Sequence, residues 1–307
     1  MKKLYIILSF IIINLPLSAQ RLTDRMYVFN LLFNEAENIA DGKTSYINSV
    51  GGWGEFGAYR LQRDFEHAWY QKLGAFIEFF RTGDYQSFSF VSSMEFIANP
   101  DNDIRFKPRS IFWEEGFLYS RKEDSFFWQL GYFHRCKHDV DNFLYGKERA
   151  LIYGSVQGKI IFLLDFLNEK ESALLSARYE LYTILQDNRY PKSWMTYSYN
   201  WKQLISSLGI NFNFTKPISE QYWNYYFNSY SMINFFGRSE GFINRFNSLQ
   251  KATVNGGFST GISIKGKAEF RIGLTYEYLS DTGINPYPES AHLLSFGVSV
   301  LDHASIK

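Results

Sequence analysis

One short polar segment near the middle of the chain contains the side chains that could support covalent catalysis. His134, Cys136 and His138 alternate along it, and two carboxylates, Asp139 and Asp141, follow. A cysteine beside a histidine can act as a nucleophile when its thiolate is favoured. Either carboxylate could orient a histidine, as the third member of a catalytic triad does. The residue types in this segment therefore fit nucleophilic catalysis.

The same residues also have plain structural interpretations. A histidine at the end of a strand often caps a loop by hydrogen bonding, and a half-buried cysteine is usually inert packing. Aspartate and asparagine in a loop usually form turns. From the sequence, both the catalytic and the structural interpretation stay open.

The spacing of these side chains disfavours a metal site. On an extended strand, at ~3.3 Å per residue, His134 and His138 lie roughly 13 Å apart and cannot share one ion unless the chain curls. His134 and Cys136 could share one. The acidic residues that follow resemble part of a calcium loop but lack its glycine and its distal glutamate. We therefore predict no metal site and no cofactor.

The elements around this segment alternate in hydrophobicity with a period of two. From Lys202 to Phe214 the even-numbered residues, Leu204 among them, are largely apolar and the odd-numbered ones largely polar, with Ile205 as the exception. Because successive side chains of a strand point to opposite faces, such a stretch has one oily face. The pattern predicts twelve strands, at 52–62, 71–82, 86–97, 109–120, 125–136, 150–163, 172–186, 200–214, 222–236, 252–264, 268–279 and 291–301.

The connections between these strands alternate in length. Every second one is a short turn or a somewhat longer link, at 82–85, 121–124, 167–171, 215–221 and 265–267, and the others are mostly longer and richer in charge. Short periplasmic turns and long external loops produce this alternation in a membrane barrel. It predicts that both termini lie in the periplasm.

The first residues have the organisation of an export signal. Lys2 and Lys3 precede the apolar run Leu4–Ile13, which is too short for the ~20 residues of a spanning helix. Ala19 is the small residue that a signal peptidase prefers, which predicts cleavage before Gln20.

The composition fits the same kind of protein. The net charge is +1, which gives no electrostatic reason to expect nucleic acid as a partner. Aromatic residues make up 19% of the chain, as a lipid-facing band with aromatic girdles requires. The single cysteine excludes an intrachain disulfide framework.

These features together resemble bacterial outer-membrane β-barrels. We predict an all-β, closed antiparallel transmembrane barrel of about twelve strands in the outer membrane of a diderm bacterium. The predicted divisions are a signal peptide at 1–19, a periplasmic or lumenal segment at 20–50, the barrel at 51–301 and a tail at 302–307. The expected partners are outer-membrane lipid and, during biogenesis, the barrel-assembly machinery, and the oligomeric state is left open.

The position of the polar segment resembles that of the active site in outer-membrane lipid hydrolases. His134 and Cys136 share the parity of Tyr132 and Leu130, the predicted lipid face, at the level of the outer leaflet. Those enzymes carry His-x-Ser on the outer wall, whereas this chain has His134-Arg135-Cys136. The resemblance implies acyl hydrolysis of lipid A or phospholipid. Nearby cationic side chains could hold a phosphate, namely those of Arg109, Arg135 and Lys137.

Adjacent acidic residues make one position informative. Glu114 and Glu115 cannot both face the lumen of a regular strand, and the parity sends Glu115 outward. A β-bulge would remove the problem, and we favour a misplaced strand end. If His134, Cys136 and Glu115 point outward and cluster, lipid chemistry is favoured, whereas inward pairing with Arg or Glu favours a structural network.

The predicted inward faces carry charges of both signs. Such charges can pair across the narrow interior of a small barrel, which favours a closed lumen over a narrow selective channel lined by the same residues. Three functions follow as hypotheses: a structural barrel or narrow solute channel, an outer-leaflet lipid hydrolase centred on His134, and a surface receptor or adhesion barrel that uses loops such as 187–199 and 237–251.

Overall fold

The computed structural model describes the chain in ten ranges: 28–33, 43–61, 67–98, 108–139, 150–164, 171–187, 203–219, 222–237, 252–280 and 290–301. The predicted signal peptide at 1–19 and the tail at 302–307 lie outside these ranges. No helix in them has the length and hydropathy that a membrane span needs.

The described chain is almost entirely β-strand. A single 3-10 turn, Leu31–Phe33, precedes the strands. The strands are β1 Thr44–Tyr46, β2 Val50–Leu61, β3 Trp69–Thr82, β4 Gln86–Ala98, β5 Pro108–Lys122, β6 Phe126–Asp139, β7 Ala150–Leu163, β8 Ser172–Asp187, β9 Leu204–Pro217, β10 Trp223–Phe236, β11 Ala252–Lys265, β12 Glu269–Leu279 and β13 Ala291–Leu301.

Strands β2 to β13 form a closed barrel. Each of them pairs antiparallel with the next along the chain, and β13 pairs with β2 from Leu294↔Leu61 to Val300↔Gly54. Closure leaves none of the twelve as a free edge, which is the condition for a sheet in lipid. The prediction of a closed antiparallel barrel of about twelve strands is confirmed.

The short strand β1 extends the barrel wall and does not add a thirteenth strand to the barrel. It pairs with the end of β3, from Thr44↔Thr82 to Tyr46↔Phe80, on the same side of β3 as β2. Between β1 and β2, Ile47 adopts a φ of 51°. This left-handed residue interrupts what is otherwise one long strand.

One bulge corrects the predicted face of a residue. Ser206 pairs with Phe235 and Leu204 with Phe236, so that Ile205 is the extra residue of the pair. The bulge turns Ile205 outward, 49% exposed, and Leu204 inward, 2% exposed. The prediction that Leu204 belongs to the oily outer face was wrong, because a bulge shifts the alternation by one residue.

The outer wall is apolar along every barrel strand. Its exposed side chains include Leu73, Phe117, Leu130, Val156, Tyr179, Leu181, Ile210, Phe258, Leu274, Phe296 and Val300. Such a surface is unsuited to water and suited to lipid.

Apolar layers close both ends of the lumen. At the short-turn end, Val28, Leu32 and Phe33 pack inside the barrel against Phe127 and Ile161. Main-chain oxygens of this lumenal segment, residues 28–33, accept hydrogen bonds from Gln129 at 2.9 Å and Arg81 at 3.1 Å. At the long-connection end the buried side chains form two clusters: Leu151, Tyr153, Tyr182, Leu204 and Phe236, and Tyr59, Tyr70, Ile97, Phe112, Leu279 and Leu293.

Candidate functional site

The register of β5 and β6 brings two acidic residues opposite two basic ones. Glu114 pairs with Arg135 and Glu115 with His134, in an uninterrupted ladder. Because side chains alternate between faces, the first pair points into the lumen and the second points outward. Side chains directly opposite on one face have Cβ atoms roughly 4.5–5.5 Å apart. The outer wall therefore carries a carboxylate next to an imidazole.

The inward pair belongs to a buried ion network. Arg135 forms ion pairs with Glu114 on β5 and Glu180 on β8, and its Nη1 donates to Ser155 Oγ at 2.9 Å. Ser155 Oγ in turn donates to Glu180 at 2.5 Å. Because these groups come from four consecutive strands, the network fixes how β5 to β8 lie against one another. It thereby holds Glu115 and His134 in register on the opposite face.

The outward pair has further polar neighbours. Cys136 follows His134 on the same face and is half-buried, opposite Trp113 and Ile152. Its thiol is near enough to interact electrostatically with the Glu115 carboxylate. The outer wall here thus carries a histidine, a glutamate and a thiol among apolar neighbours. Because polar side chains that face lipid cost free energy, their presence marks this part of the wall as a candidate site.

A glycine beside His134 lets a tyrosine hydroxyl approach the wall closely. Gly154 on β7 lies directly opposite His134. A Cβ at this position would collide with the hydroxyl of Tyr132 and would lie 3.4 Å from Thr183 Oγ1. The absence of a side chain at Gly154 therefore lets the Tyr132 hydroxyl occupy the space next to His134. A glycine within a strand often marks such a close approach.

Two of the predicted phosphate-binding residues face the lumen and not the outer wall. Arg135 and Lys137 are each 3% exposed and face the lumen, so they cannot reach a lipid beside His134. The error follows from the period of two, because both residues have the opposite parity to His134. Arg109 lies in β5, but its side chain is outside what the structure describes.

The remaining predicted site residues are partly described. His138 is exposed on the outer wall at the end of β6, four residues from His134. Asp139 is the last residue of that strand, and its side chain is outside the described part, as is Asp141 altogether. His134, Cys136 and His138 therefore share the outer face, and no described carboxylate other than Glu115 is paired with His134 across the ladder.

Glu115 was interpreted wrongly from the sequence. It lies in the middle of β5, where pairing on both sides runs without a bulge. Its outward position is therefore real and does not come from a misplaced strand end. The signal that could have identified it was the adjacency of two glutamates inside a strong strand pattern. The sequence analysis also did not single out Tyr132 or Gly154, because their proximity to His134 depends on pairing between strands.

The described residues contain no group of three or more His, Cys, Asp or Glu side chains placed to hold a metal ion.

Comparison with known proteins finds similarity at the level of architecture. No known family matches the sequence, and no curated protein matches it. Among solved structures, LpxR from Salmonella typhimurium is 7% identical with a TM-score of 0.46, and the match covers 82% of this chain and all of that one. The Salmonella typhi outer-membrane phospholipase, crystallised as a dimer with calcium, is 10% identical with a TM-score of 0.45, covering 89% and 96%. The Escherichia coli outer membrane phospholipase A is 9% identical with a TM-score of 0.44, covering 82% and 92%. Two of these three structures are named as outer-membrane phospholipases.

Proposed function

We propose that this protein is an outer-membrane barrel that hydrolyses an acyl ester of an outer-leaflet lipid, lipid A or phospholipid, at its outer wall. The observation that carries the proposal is that Glu115 lies directly opposite His134 in the ladder, on the outward face. Placing two ionisable side chains against lipid costs free energy, and such residues usually have a function. A carboxylate that orients an imidazole is the arrangement that general-base catalysis uses.

The height of His134 on the wall suits an ester substrate. It lies eight residues beyond Phe126, the start of β6 at the short-turn end. That distance is about 26 Å along the strand, or about 20 Å along the axis at a tilt of 35–45°. An apolar band is about 25 Å tall, so His134 lies near its far boundary. With the long connections outside the cell, this boundary is where the ester bonds of outer-leaflet lipids lie.

Hydrolysis would use water as the nucleophile. His134 takes a proton from a water molecule as its oxygen adds to the ester carbonyl carbon. Glu115 orients the imidazole and balances the imidazolium charge. The Tyr132 hydroxyl, which lies over Gly154, donates to the carbonyl oxygen as negative charge develops there. His134 then returns the proton to the departing alkoxide, which yields a free fatty acid and an alcohol.

Cys136 is a poorer nucleophile than its position suggests. The thiol is half-buried in an apolar wall and lies near the Glu115 carboxylate. Both surroundings oppose a second negative charge, and the thiolate is the reactive form. We therefore expect Cys136→Ala to retain hydrolysis, whereas an enzyme that forms a thioester would lose it.

Mass spectrometry of membrane lipids tests the proposal. Cells that express the protein should show lipid A or phospholipid with one acyl chain fewer, and His134→Ala should abolish the change, a loss of at least 100-fold in rate. His138→Ala is the matched control, because this histidine is on the same face of the same strand without a facing carboxylate. A lipid profile that is identical with and without the wild-type protein rejects the hydrolase.

A structural barrel or narrow solute channel is the second candidate. The closed interior favours the structural form, because apolar clusters lie at both ends of the lumen. Single-channel recording distinguishes the two forms, and neither predicts a change in lipid composition. The receptor hypothesis depends on loops that are mostly outside the described residues, and trimming 187–199 or 237–251 tests it.

A further inference from the structure

Two cationic side chains face each other inside the barrel without a carboxylate partner. Lys159 on β7 and Arg178 on β8 are directly opposed, and both point into the lumen. Among the described residues, no carboxylate lies within ion-pair distance of either. Like charges opposite each other on one face of a sheet are destabilising. The interior of the barrel therefore contains positive charge that is not paired with a described carboxylate.

The nearby carboxylates are already engaged. The charged groups that act on Lys159 are Arg178, Glu114, Glu180 and Arg135. Both glutamates are paired with Arg135, and Ser155 also donates to Glu180. This local group thus combines three cations with two anions. One further negative charge would neutralise it.

Hydrogen-bond donors in the same place also lack acceptors. Arg178 Nε is buried and has no acceptor, and Arg178 Nη2 reaches only the weakly accepting sulfur of Met232, at 3.2 Å. Ser176, two residues before Arg178 on the same face, is fully buried and its hydroxyl has no partner. Buried donors normally find an acceptor, and each exception needs an explanation. Three donors from adjacent positions would be satisfied by one ligand that has several acceptor oxygens.

A glycine, an apolar layer and an ion network border the cation pair. Arg178 extends over Gly209 of β9, with Nε and Nη2 each 3.5 Å from the position that a Cβ of this residue would occupy. The clustered side chains of the lumenal segment 28–33 and Ile161 lie on the short-turn side of Lys159. The Arg135 network lies on the other side. The cation pair therefore lies between an apolar layer and the Arg135 network.

We propose that Lys159, Arg178 and Ser176 form a lumenal binding site for a small inorganic oxyanion of the phosphate class. A tetrahedral oxyanion presents acceptors in several directions, and guanidinium and ammonium groups bind it with charge-assisted hydrogen bonds. This site is on the inner face and is independent of the lipid site proposed for the outer wall. An oxyanion bound here would hold β7 and β8 together where their charges repel.

Thermal unfolding of the refolded, detergent-solubilised barrel tests the site. Because the lumen is enclosed, inorganic phosphate is present throughout refolding, at constant ionic strength balanced with chloride. The midpoint of unfolding of the wild type should rise and saturate with phosphate concentration, since a ligand that binds only the native state stabilises it. Lys159→Met and Arg178→Met should each lose this dependence, and Ser176→Ala should weaken it.

Lys72→Met is the matched control, because Lys72 is a lumenal lysine already paired with Glu55 at 3.8 Å. It should keep the phosphate response. Lys159→Arg retains the charge and should keep it too, which separates loss of binding from a folding defect. A wild type that does not respond to phosphate overturns the proposal. The proposal is also overturned if phosphate raises the unfolding midpoint of Lys159→Met as much as that of the wild type. An equal rise of the wild-type midpoint with chloride in place of phosphate would overturn it too.

Discussion

At the scale of residues, the same pair of strands carries a buried ion pair on one face and a lipid-facing pair on the other. Glu114 and Arg135 form an ion pair that faces the lumen, while Glu115 and His134 lie opposite each other on the outer face. The inner pair sets the register that the outer pair needs. A substitution can therefore affect the outer site by a direct change or through the network behind it.

The Tyr132 hydroxyl over Gly154 gives a residue-scale prediction for the outer site. Gly154→Leu should displace the Tyr132 hydroxyl from its place beside His134, which lowers lipid hydrolysis by roughly tenfold or more. Gly158→Leu is the control, because Gly158 lies on the same strand and face and a Cβ there would meet nothing within 4 Å. Lipid mass spectrometry and heat-modifiable gel mobility would measure activity and folding together. Equal activity of the two variants would remove the Tyr132 hydroxyl from the mechanism.

Arg135 gives a residue-scale prediction for stability. Arg135→Met leaves the buried Glu180 and the partly buried Glu114 without their cation. Removing one partner from a buried ion pair typically costs about 3–5 kcal/mol. Lys216→Met is the control, since Lys216 bridges Glu171 with 57% of its side chain exposed, where such pairs contribute at most about 1 kcal/mol. Equilibrium urea unfolding in lipid vesicles, followed by tryptophan fluorescence, would show whether the two losses differ.

At the scale of elements, the barrel closes at a seam formed by β13, β2 and β3. The packing of this seam depends on glycines that the Tyr70 side chain covers. The Tyr70 ring covers Gly57, and its hydroxyl donates to Glu55 at 2.6 Å. Gly297 on β13 also lies under this hydroxyl. Small residues at these positions let one large side chain fill the lumen across three strands.

Gly57→Ala should therefore destabilise the barrel. Its Cβ would lie 2.6 Å from Tyr70 Cζ, so Tyr70 must move and its bond to Glu55 is strained, at a cost of about 1–3 kcal/mol. At Gly256 the nearest atom to a Cβ is 3.4 Å away, and there an alanine should be neutral or stabilising by roughly 0.4–1 kcal/mol. Urea unfolding midpoints of the two variants would then move in opposite directions. A stabilised Gly57→Ala would show that Tyr70 does not constrain the seam.

At the scale of the whole molecule, the outer and inner faces of the barrel wall differ in the side chains they carry. The outer face is apolar except at a few polar positions, and the described lumen holds charged side chains between apolar layers. The lumenal segment 28–33 contributes the layer at the short-turn end. These layers predict that the intact protein does not conduct ions.

Conductance measurements test the closed lumen. In planar bilayers the protein should give no steady single-channel steps, because apolar side chains cluster at both ends of the described lumen. A variant that lacks residues 28–33 removes the layer against Phe127 and Ile161 and should conduct or leak. Steady, ion-selective steps from the intact protein would instead establish the narrow channel.

The sequence by itself determined the strands and the face that most residues take. Both depend on alternation within one segment, which is why the outward direction of His134 and Cys136 and the number of strands could be predicted. Leu204 was misplaced because a bulge, an interaction between two strands, moved it.

Only the tertiary structure decided which residues meet. Glu115 faces His134, and Arg135 joins Glu180 from 45 residues away, because hydrogen-bonded register sets these neighbours. Register depends on how hairpins close and on where bulges fall, which no single strand pattern contains. The unpartnered charges of Lys159 and Arg178 are likewise visible only once every neighbouring strand is in place. Side-chain direction is thus a local property of this chain, whereas its candidate chemistry arises from pairing between strands.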